Sequence, residues 1–491
     1  MTQNNRLSEE QRNFFSLVSD AIYTNPFSDI RHIIDVRIAG LFPDVHEANL
    51  IDKTIEEVKR RLSEIERKGG DIKTFQGRDR SLVENAFLFD FFYRYRERFD
   101  TLILEQLASD DIPVRVSFAR DAIASLKSRG FDYDKIYHSM ALSYQIRRAY
   151  YFIRDTLIGQ STAMKEFRRK LWNNVFTHDM GLYIRYLWNR MEDFSTLLLG
   201  ETGTGKGTAA MAIGRSGYIP YDEKTQCFKE SFSRSFVSLN LSQFPESLME
   251  SELFGHKKGS FTGAIEDYKG VFERCSPYGS IFLDEIGEIS VPVQVKLLRV
   301  LQERVFTPVG SKTDGRFQGR VIAATNRSFD DVQNRKVFRD DFYYRLCSDI
   351  ITVPSLRQRI QETPEELDIL LSFTVNRMVG EDSPEYTDMV RDVIQKHLGP
   401  SYDWPGNVRE LEQCVRRVLL NRTYTGDRKK ALGDLEASLV SGIEEGNLDA
   451  QKLLAGYCRL LYDRLQTYEE VAKRTNLDRR TVKKYILEWE K

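Results

Sequence analysis

The sequence has few cysteines, no long apolar run and almost no net charge, and each absence excludes a class of protein. The five cysteines lack CxxC spacing, which argues against a zinc site or a disulfide framework and agrees with a reducing cytoplasm. No apolar run approaches the roughly 18 residues of a membrane span, and the polar first residues lack the features of a signal peptide. We therefore expect a cytoplasmic protein without a membrane segment.

The charge is balanced between 72 basic and 73 acidic residues, so overall charge predicts no partner and any nucleic-acid surface must be local. A chain of 491 residues is too long for a single core, and three or four domains are expected.

The patterning along the chain changes several times. Residues 1–155 are predicted to form a mostly helical domain, in which the aromatic run 86–99 favours a buried helix over a ligand pocket or a partner face. Short apolar strands at 195–199, 236–239, 280–283 and 320–324 alternate with helices and predict an α/β domain with a parallel sheet over 156–355. A helical region at 356–425, a linker at 426–448 and a small helical unit at 449–491 follow.

A glycine-rich loop between a predicted strand and a predicted helix is typical of a nucleotide site. Small residues allow backbone N–H groups to surround phosphate oxygens at a helix N-terminus, and a lysine supplies charge. A glycine replaces the usual Ser/Thr after the lysine, so magnesium is expected to be held mostly through water and by an acidic strand end. The residues are Gly200, Glu201, Thr202, Gly203, Thr204, Gly205, Lys206, Gly207 and Thr208.

Polar side chains follow two further apolar strands. Asp284 is predicted to orient the magnesium ion and Glu285 to polarise the attacking water, about 80 residues after the phosphate loop. Asn326 is placed to sense the terminal phosphate by hydrogen bonding. Arg339 and Arg345 bracket two carboxylates and two tyrosines; alone they read as surface ion-pair formers, although a guanidinium can also stabilise transition-state charge.

One loop contains apolar and small residues that suit neither a helix nor a sheet core. Its residues are Gly259, Ser260, Phe261, Thr262, Gly263 and Ala264. An apolar side chain held out on a flexible loop usually contacts a partner. A hairpin tip with the phenylalanine folded back is the other interpretation, and spacing alone leaves both open.

The C-terminal residues 467–487 predict a helix, a turn and a second helix that begins after Asp478. Basic side chains cluster on one side of the second helix, as expected of a helix-turn-helix that reads the DNA major groove. A generic helical hairpin shows the same pattern, so this reading stays open. The predicted contact residues are Arg479, Arg480, Thr481, Lys483 and Lys484.

Together, these segments resemble the AAA+ domain of bacterial enhancer-binding proteins, the ATPase activators of sigma-54 RNA polymerase. The resemblance runs from about residue 157 to 420 and rests on LIGQS, GETGTGKG, ESELFGHKKGSFTGA, GSIFLDEIGE, VIAATNR, FRDDFYYRL, VPSLRQR and WPGNVREL. It implies an α/β P-loop AAA+ ATPase with a helical lid, using ATP and Mg²⁺, whose loop 259–264 contacts the sigma factor.

The resemblance also implies individual roles. Ile158 and Gly159 would line the adenine pocket, and Asn240 would pair with the catalytic glutamate and release it. Asn326 would be the first sensor and Arg409 the second. Arg339 and Arg345 would act on the ATP of a neighbouring subunit, which implies a hexameric ring.

Three departures and two alternatives accompany the resemblance. Gly207 and Ser260 stand where the family commonly has Glu and Ala, and segment 214–235 is longer than usual, which predicts an extra surface loop. Residues 1–155 resemble no family, and their position implies a regulatory domain for an unknown signal or ligand. The alternatives are a sigma-54-independent DNA-binding regulator and an AAA+ remodeller of another protein.

Overall fold

The computed structural model describes residues 5–41, 49–334, 337–400, 402–426 and 448–489 without 466, together with 435, 438–440, 442, 443 and 446. Most of the predicted linker 426–448 therefore lies outside the described residues. The chain forms two compact units, Met1–Leu370 and Leu371–Lys491. The predicted start of the lid at residue 356 precedes the division between these units.

Among the described residues, seven helices make up the N-terminal part of the first unit: α1 (Glu9–Tyr23), α2 (Asp29–Ile38), α3 (Leu50–Arg67), α4 (Gly77–Arg94), α5 (Arg96–Ala108), α6 (Ala119–Ser128) and α7 (Tyr133–Asp155). The Ser8 hydroxyl begins α1 with a capping box to Gln11. The aromatic run 86–99 was predicted as one helix, but it is divided at Tyr95, where α4 ends and α5 begins. Tyr95 and Phe99 are both buried, as the pattern predicted.

A five-stranded parallel sheet forms the centre of the first unit, in the order β4-β5-β8-β1-β9. The strands are β1 (Thr196–Leu199), β4 (Phe236–Asn240), β5 (Ser280–Asp284), β8 (Arg320–Thr325) and β9 (Asp349–Thr352). Four of them match the predicted strands, and β9 is an additional edge strand. Because the strands are parallel, the ends of β1, β4, β5 and β8 lie at one edge of the sheet.

Helices and short hairpins surround this sheet. They are α8 (Thr162–Phe176), α9 (Met180–Leu182), a π-helix (Tyr183–Leu187), α10 (Lys206–Gly214), α11 (Glu246–Phe254), α12 (Val271–Arg274), α13 (Val291–Glu303), α14 (Phe329–Gln333), α15 (Asp340–Leu346) and α16 (Leu356–Glu362), with hairpins β2 (Tyr221–Asp222)–β3 (Cys227–Phe228) and β6 (Val305–Phe306)–β7 (Gly315–Arg316). Helix α17 (Glu366–Val379) contains the division between the units.

The second unit contains α18 (Pro384–His397), α19 (Asn407–Asn421), α20 (Ala450–Leu465), α21 (Tyr468–Thr475) and α22 (Arg479–Trp489). Helices α20, α21 and α22 share a small core that includes Cys458, Val471, Val482 and Ile486. No helix among the described residues is long and apolar enough to cross a lipid bilayer.

The segment after α10 was predicted as a surface loop, and this prediction is wrong. It contains the β2–β3 hairpin, and Phe228 and Phe232 are buried against the N-terminal helices. The Phe228 ring stacks on Tyr144 of α7 with 4.1 Å between ring centroids, and Phe232 meets Phe152 edge to face. The N-terminal helices and the sheet consequently share one hydrophobic core.

Candidate functional site

The glycine-rich loop lies between the end of β1 and the start of α10, as its sequence predicts. Gly203 and Gly205 adopt φ angles of 83° and 101°, in the left-handed region that favours glycine. Lys206 is buried, and its Nζ donates hydrogen bonds to the carbonyl oxygens of Gly200 (2.8 Å) and Glu201 (3.1 Å). The loop backbone and this ammonium group form an arrangement that suits phosphate oxygens at a helix N-terminus.

Two carboxylates lie where β5 ends, at the same end of the parallel sheet as this loop, with β8 between β5 and β1. Asp284 ends β5, and Glu285 follows with a φ of 56°. Asn240, at the end of β4, is the register partner of Asp284 on the neighbouring strand. The Asn240 Oδ1 accepts hydrogen bonds from the Ser242 backbone N–H (3.0 Å) and hydroxyl (2.8 Å). The predicted carboxylates and Asn240 are thus brought to one edge.

These residues fit a nucleotide with a magnesium ion. Gly203 and Gly205, at positive φ, present no side chain to a ligand, and Lys206 supplies a cation. The carboxylates of Asp284 and Glu285 are the oxygen ligands that Mg²⁺ prefers, while phosphate oxygens and water complete such sites. Gly207 offers no hydroxyl, and the half-buried Thr208 follows it in the first turn of α10.

The predicted adenine turn is held by a buried ion pair that the sequence did not reveal. The Arg359 guanidinium lies 2.7 Å from the Glu366 carboxylate and donates to the Ile158 carbonyl oxygen at 2.6 Å. The same carboxylate accepts the Gln160 backbone N–H at 2.6 Å. Gly159 has a φ of 136°, and a Cβ there would lie 2.1 Å from the Glu366 carboxylate, so only glycine fits.

A further arginine and the loop glutamate form an ion pair in the same region. Arg357, two residues before Arg359 on α16, places its guanidinium 2.9 Å from the Glu201 carboxylate. Burial lowers the pKa of Arg359, although Glu366 opposes this shift. The only sequence signal for these partners is the RQR of the VPSLRQR segment, which gives no indication of their targets.

Loop 259–264 lies on a short stem formed by His256 and Tyr268. His256 bridges Tyr268 in antiparallel fashion, and Gly259 N–H donates to the Ala264 carbonyl oxygen at 2.8 Å. The Phe261 ring is half-buried and meets the His256 ring edge to face, with 4.9 Å between centroids. Phe261 is therefore folded back on the stem in this structure, whereas Thr262 is exposed.

Comparisons with known proteins connect this region to a family. Residues 184–352 match the family described as "Sigma-54 interaction domain". This part of the chain belongs to that family. The resemblance to sigma-54-dependent enhancer-binding activators is thereby confirmed.

Curated relatives of this sigma-54 activator family are similar over part of the chain. The Nif-specific regulatory protein of Azotobacter vinelandii is 43% identical over 47% of this chain and 40% of its own length. The transcriptional regulatory protein GlrR of Escherichia coli is 33% identical over 63% of each chain. A crystal structure of NtrX from Brucella abortus in complex with ATP is 18% identical, with a TM-score of 0.41 over 76% of this chain and 81% of that one. The chain thus spans less than two thirds of the length of these curated relatives.

The remaining residues predicted from this family lie in three places. Asn326 is exposed directly after the buried Thr325 at the end of β8. Arg339 begins α15 and pairs with Asp341 at 3.0 Å, while the Arg345 Nε donates to the Leu301 carbonyl oxygen at 2.9 Å. Arg409 is exposed on α19 in the second unit.

The C-terminal residues form helices α21 and α22, which are separated by residues 476–478. Asp478 caps α22, since its Oδ1 accepts the Arg480 and Thr481 backbone N–H groups at 2.8 and 3.0 Å. Val482 and Ile486 are buried against α20 and α21. The four predicted basic side chains are all exposed: Arg479, Arg480, Lys483 and Lys484.

Proposed function

We propose that the protein is an ATP-hydrolysing transcriptional activator that binds upstream DNA and remodels the sigma-54 RNA polymerase holoenzyme to promote open-complex formation. The observation that carries this proposal is the coexistence of a phosphate loop, an acidic strand end and loop 259–264 in one domain of the sigma-54 interaction family. The proposal places the protein in the cytoplasm.

Hydrolysis uses the groups at the sheet edge. The loop backbone and Lys206 bind the phosphates of ATP, and Asp284 would hold a magnesium ion, which would supply positive charge beside the phosphates. Glu285 accepts a proton from the attacking water at the end of β5. Asn326 contacts the terminal phosphate from the neighbouring strand end.

In the proposed active form, residues of an adjacent subunit complete each ATP site. Arg339 directly precedes α15, and Arg345 lies in its last turn. We assign both to the ATP of the adjacent subunit, where guanidinium groups stabilise transition-state charge. Arg409 acts as the second sensor. This assignment requires a homo-oligomer, and a hexamer is the proposed active form.

The hydrolysis state reaches loop 259–264 through the segment after β4. Asn240 ends β4, and α11 leads from there to His256 at the stem of the loop. A change at the terminal phosphate alters the contacts of Asn240 and Ser242, and α11 transmits the change to the stem. Phe261 then leaves His256 and, with Thr262, contacts the sigma factor.

DNA binding belongs to the helix-turn-helix formed by α21 and α22. The basic residues of α22 are exposed, whereas Val482 and Ile486 of the same helix are buried. Such a helix fits the major groove, and its cations contact phosphates.

The test is a Phe261→Ala variant compared with wild type in ATPase and open-complex assays. We expect ATP hydrolysis to stay within about twofold, because Phe261 contacts the loop stem, and open-complex formation on a sigma-54 promoter to be lost. His178→Ala, at an exposed position outside the loop, serves as the control. Equal open-complex formation by the Phe261 variant would refute the sigma-54 role and leave the two alternatives, a regulator of ordinary polymerase or a remodeller of another protein.

A further inference from the structure

A cavity of about 150 Å³ lies at the edge of the sheet opposite the phosphate loop. Ser280 and Arg320, which begin β5 and β8, line it, whereas the phosphate loop follows the end of β1. Its other walls come from α7, α8, the π-helix and the residues just after it, the residues that follow α10 and the residues just before β5. The cavity is therefore separate from the proposed ATP site and joins the N-terminal helices to the ATPase domain.

Aromatic rings form much of the wall. The π-helical turn places Tyr183 and Trp188 together, because the Trp188 backbone N–H donates to the Tyr183 carbonyl oxygen five residues earlier. The Trp188 and Tyr218 ring centroids are 4.5 Å apart, and Tyr218 and Tyr278 both line the cavity. Single π-helical turns occur frequently at functional sites, and aromatic walls favour a flat apolar ligand.

A buried acceptor in the wall lacks a donor. The Gln145 side chain is 1% exposed, and its Nε2 donates to the Tyr183 hydroxyl (2.6 Å) and to the Ser216 carbonyl oxygen (2.9 Å). Its Oε1 has no hydrogen-bond partner among the residues that the structure describes. A buried acceptor of this kind is costly unless a donor reaches it, and the cavity is where a donor has room.

The charged lining residues and the volume of the cavity limit which ligands can bind there. Arg320 and Glu192 line the same cavity, so an anion would meet a carboxylate and a cation would meet a guanidinium. Both charges favour a neutral occupant. A cavity of this volume accommodates a molecule the size of benzene.

We propose that this cavity binds a neutral single-ring aromatic molecule that donates an N–H group to the Gln145 Oε1. The ring lies among Trp188, Tyr218 and Tyr278, and the donor satisfies the buried amide oxygen. This binding site is independent of the proposed function, because it is tested by binding alone.

The test compares two probes of nearly the same shape, aniline and toluene, by titration of the full-length protein in ligand-detected NMR. Aniline carries the N–H donor and toluene does not. We expect saturable binding of aniline, and toluene binding that is weaker by about fivefold, the usual effect of one hydrogen bond. Absence of saturable aniline binding, as expected if only water occupies the cavity, or equal affinities for the two probes would overturn the proposal.

Two surface variants locate the binding. Asn189 is exposed and lines the cavity, so Asn189→Trp is expected to cover it and weaken aniline binding at least tenfold without disturbing the core. Arg190→Trp adds the same side chain at the neighbouring exposed position outside the lining and should leave binding unchanged. Aniline binding that is unaffected by Asn189→Trp would also overturn the proposal.

Discussion

Glu285 occupies a left-handed backbone conformation at the edge of the sheet, with a φ of 56°. For a residue other than glycine this conformation costs free energy, and such strain persists at sites where side-chain direction matters. The turn directs the chain from β5 into a short 3-10 helix (Ile286–Glu288). This local geometry agrees with the proposed role of Glu285 as the group that activates water.

A Glu285→Gln variant should bind ATP but hydrolyse it at least about 100-fold more slowly, because the amide cannot accept the proton from water. Steady-state hydrolysis and nucleotide affinity check this directly. Glu288→Gln changes a nearby carboxylate that pairs with Arg327 and should retain turnover. Normal hydrolysis by the Glu285 variant would exclude it as the base.

Glu366→Gln should destabilise the protein by about 3 kcal/mol, because it leaves the Arg359 guanidinium buried without its countercharge. Urea unfolding measures the loss. Glu365→Gln, at the adjacent exposed position, should change stability by less than about 0.5 kcal/mol. If the two variants unfold at the same urea concentration, the ion pair does not hold the adenine turn together.

Site residues that belong to a local sequence pattern could be predicted from the sequence. Contacts between residues far apart in the sequence could not. The glycine-rich loop and the carboxylates after β5 carry their own signals, since the pattern strand, loop, helix fixes their placement. Arg359 and Glu366 meet Ile158 and Gln160 across about 200 residues of sequence, and nothing in the spacing indicates that contact. The sequence left two interpretations of Phe261 open, because its contact with the His256 ring depends on the stem that His256 forms with Tyr268.

At the scale of elements, the buried strands were predictable because short apolar runs followed by polar residues mark parallel strands. The edge strand β9 was not predicted, since Ile350 and Ile351 are flanked by the polar Asp349 and Thr352 and form too short an apolar run. The break at Tyr95 is also hidden, because Arg94 and Arg96 continue the helical pattern on both sides. The β2–β3 hairpin is too short for a strand signal, and its burial depends on α7.

Helix α22 leads to a prediction about salt dependence. In the full-length protein, Lys483→Ala should weaken binding to a nonspecific DNA duplex and reduce the slope of log affinity against log salt by about 0.9, the effect of one lost phosphate contact. Lys452→Ala, which removes an exposed lysine from α20, should leave the slope unchanged. Equal slopes for both variants and wild type would argue that α22 does not contact DNA.

At the scale of the whole molecule, the N-terminal helices are joined to the ATPase sheet by polar as well as apolar contacts. Arg148 of α7 is fully buried, and its guanidinium donates to the carbonyl oxygens of Arg215 and Gly217, both at 2.7 Å. These carbonyls follow the C-terminal end of α10, whose N-terminus carries Lys206. Burial lowers the pKa of Arg148 to about 10. Helix α10 therefore connects the contact with Arg148 at its C-terminal end to the phosphate loop at its N-terminus.

Removal of residues 1–155 should unfold the ATPase domain rather than release it. The deletion exposes Phe228, Phe232 and the rest of a shared core, and it leaves the carbonyls after α10 without Arg148. We expect aggregation and no cooperative thermal transition, measured by near-ultraviolet circular dichroism. A soluble fragment with wild-type hydrolysis would show that the two regions fold separately.

The deletion changes folding and regulation together. Whether the N-terminal helices raise or lower ATP hydrolysis is therefore better measured in full-length Arg115→Ala, which removes an exposed contact with Gln226 of the hairpin.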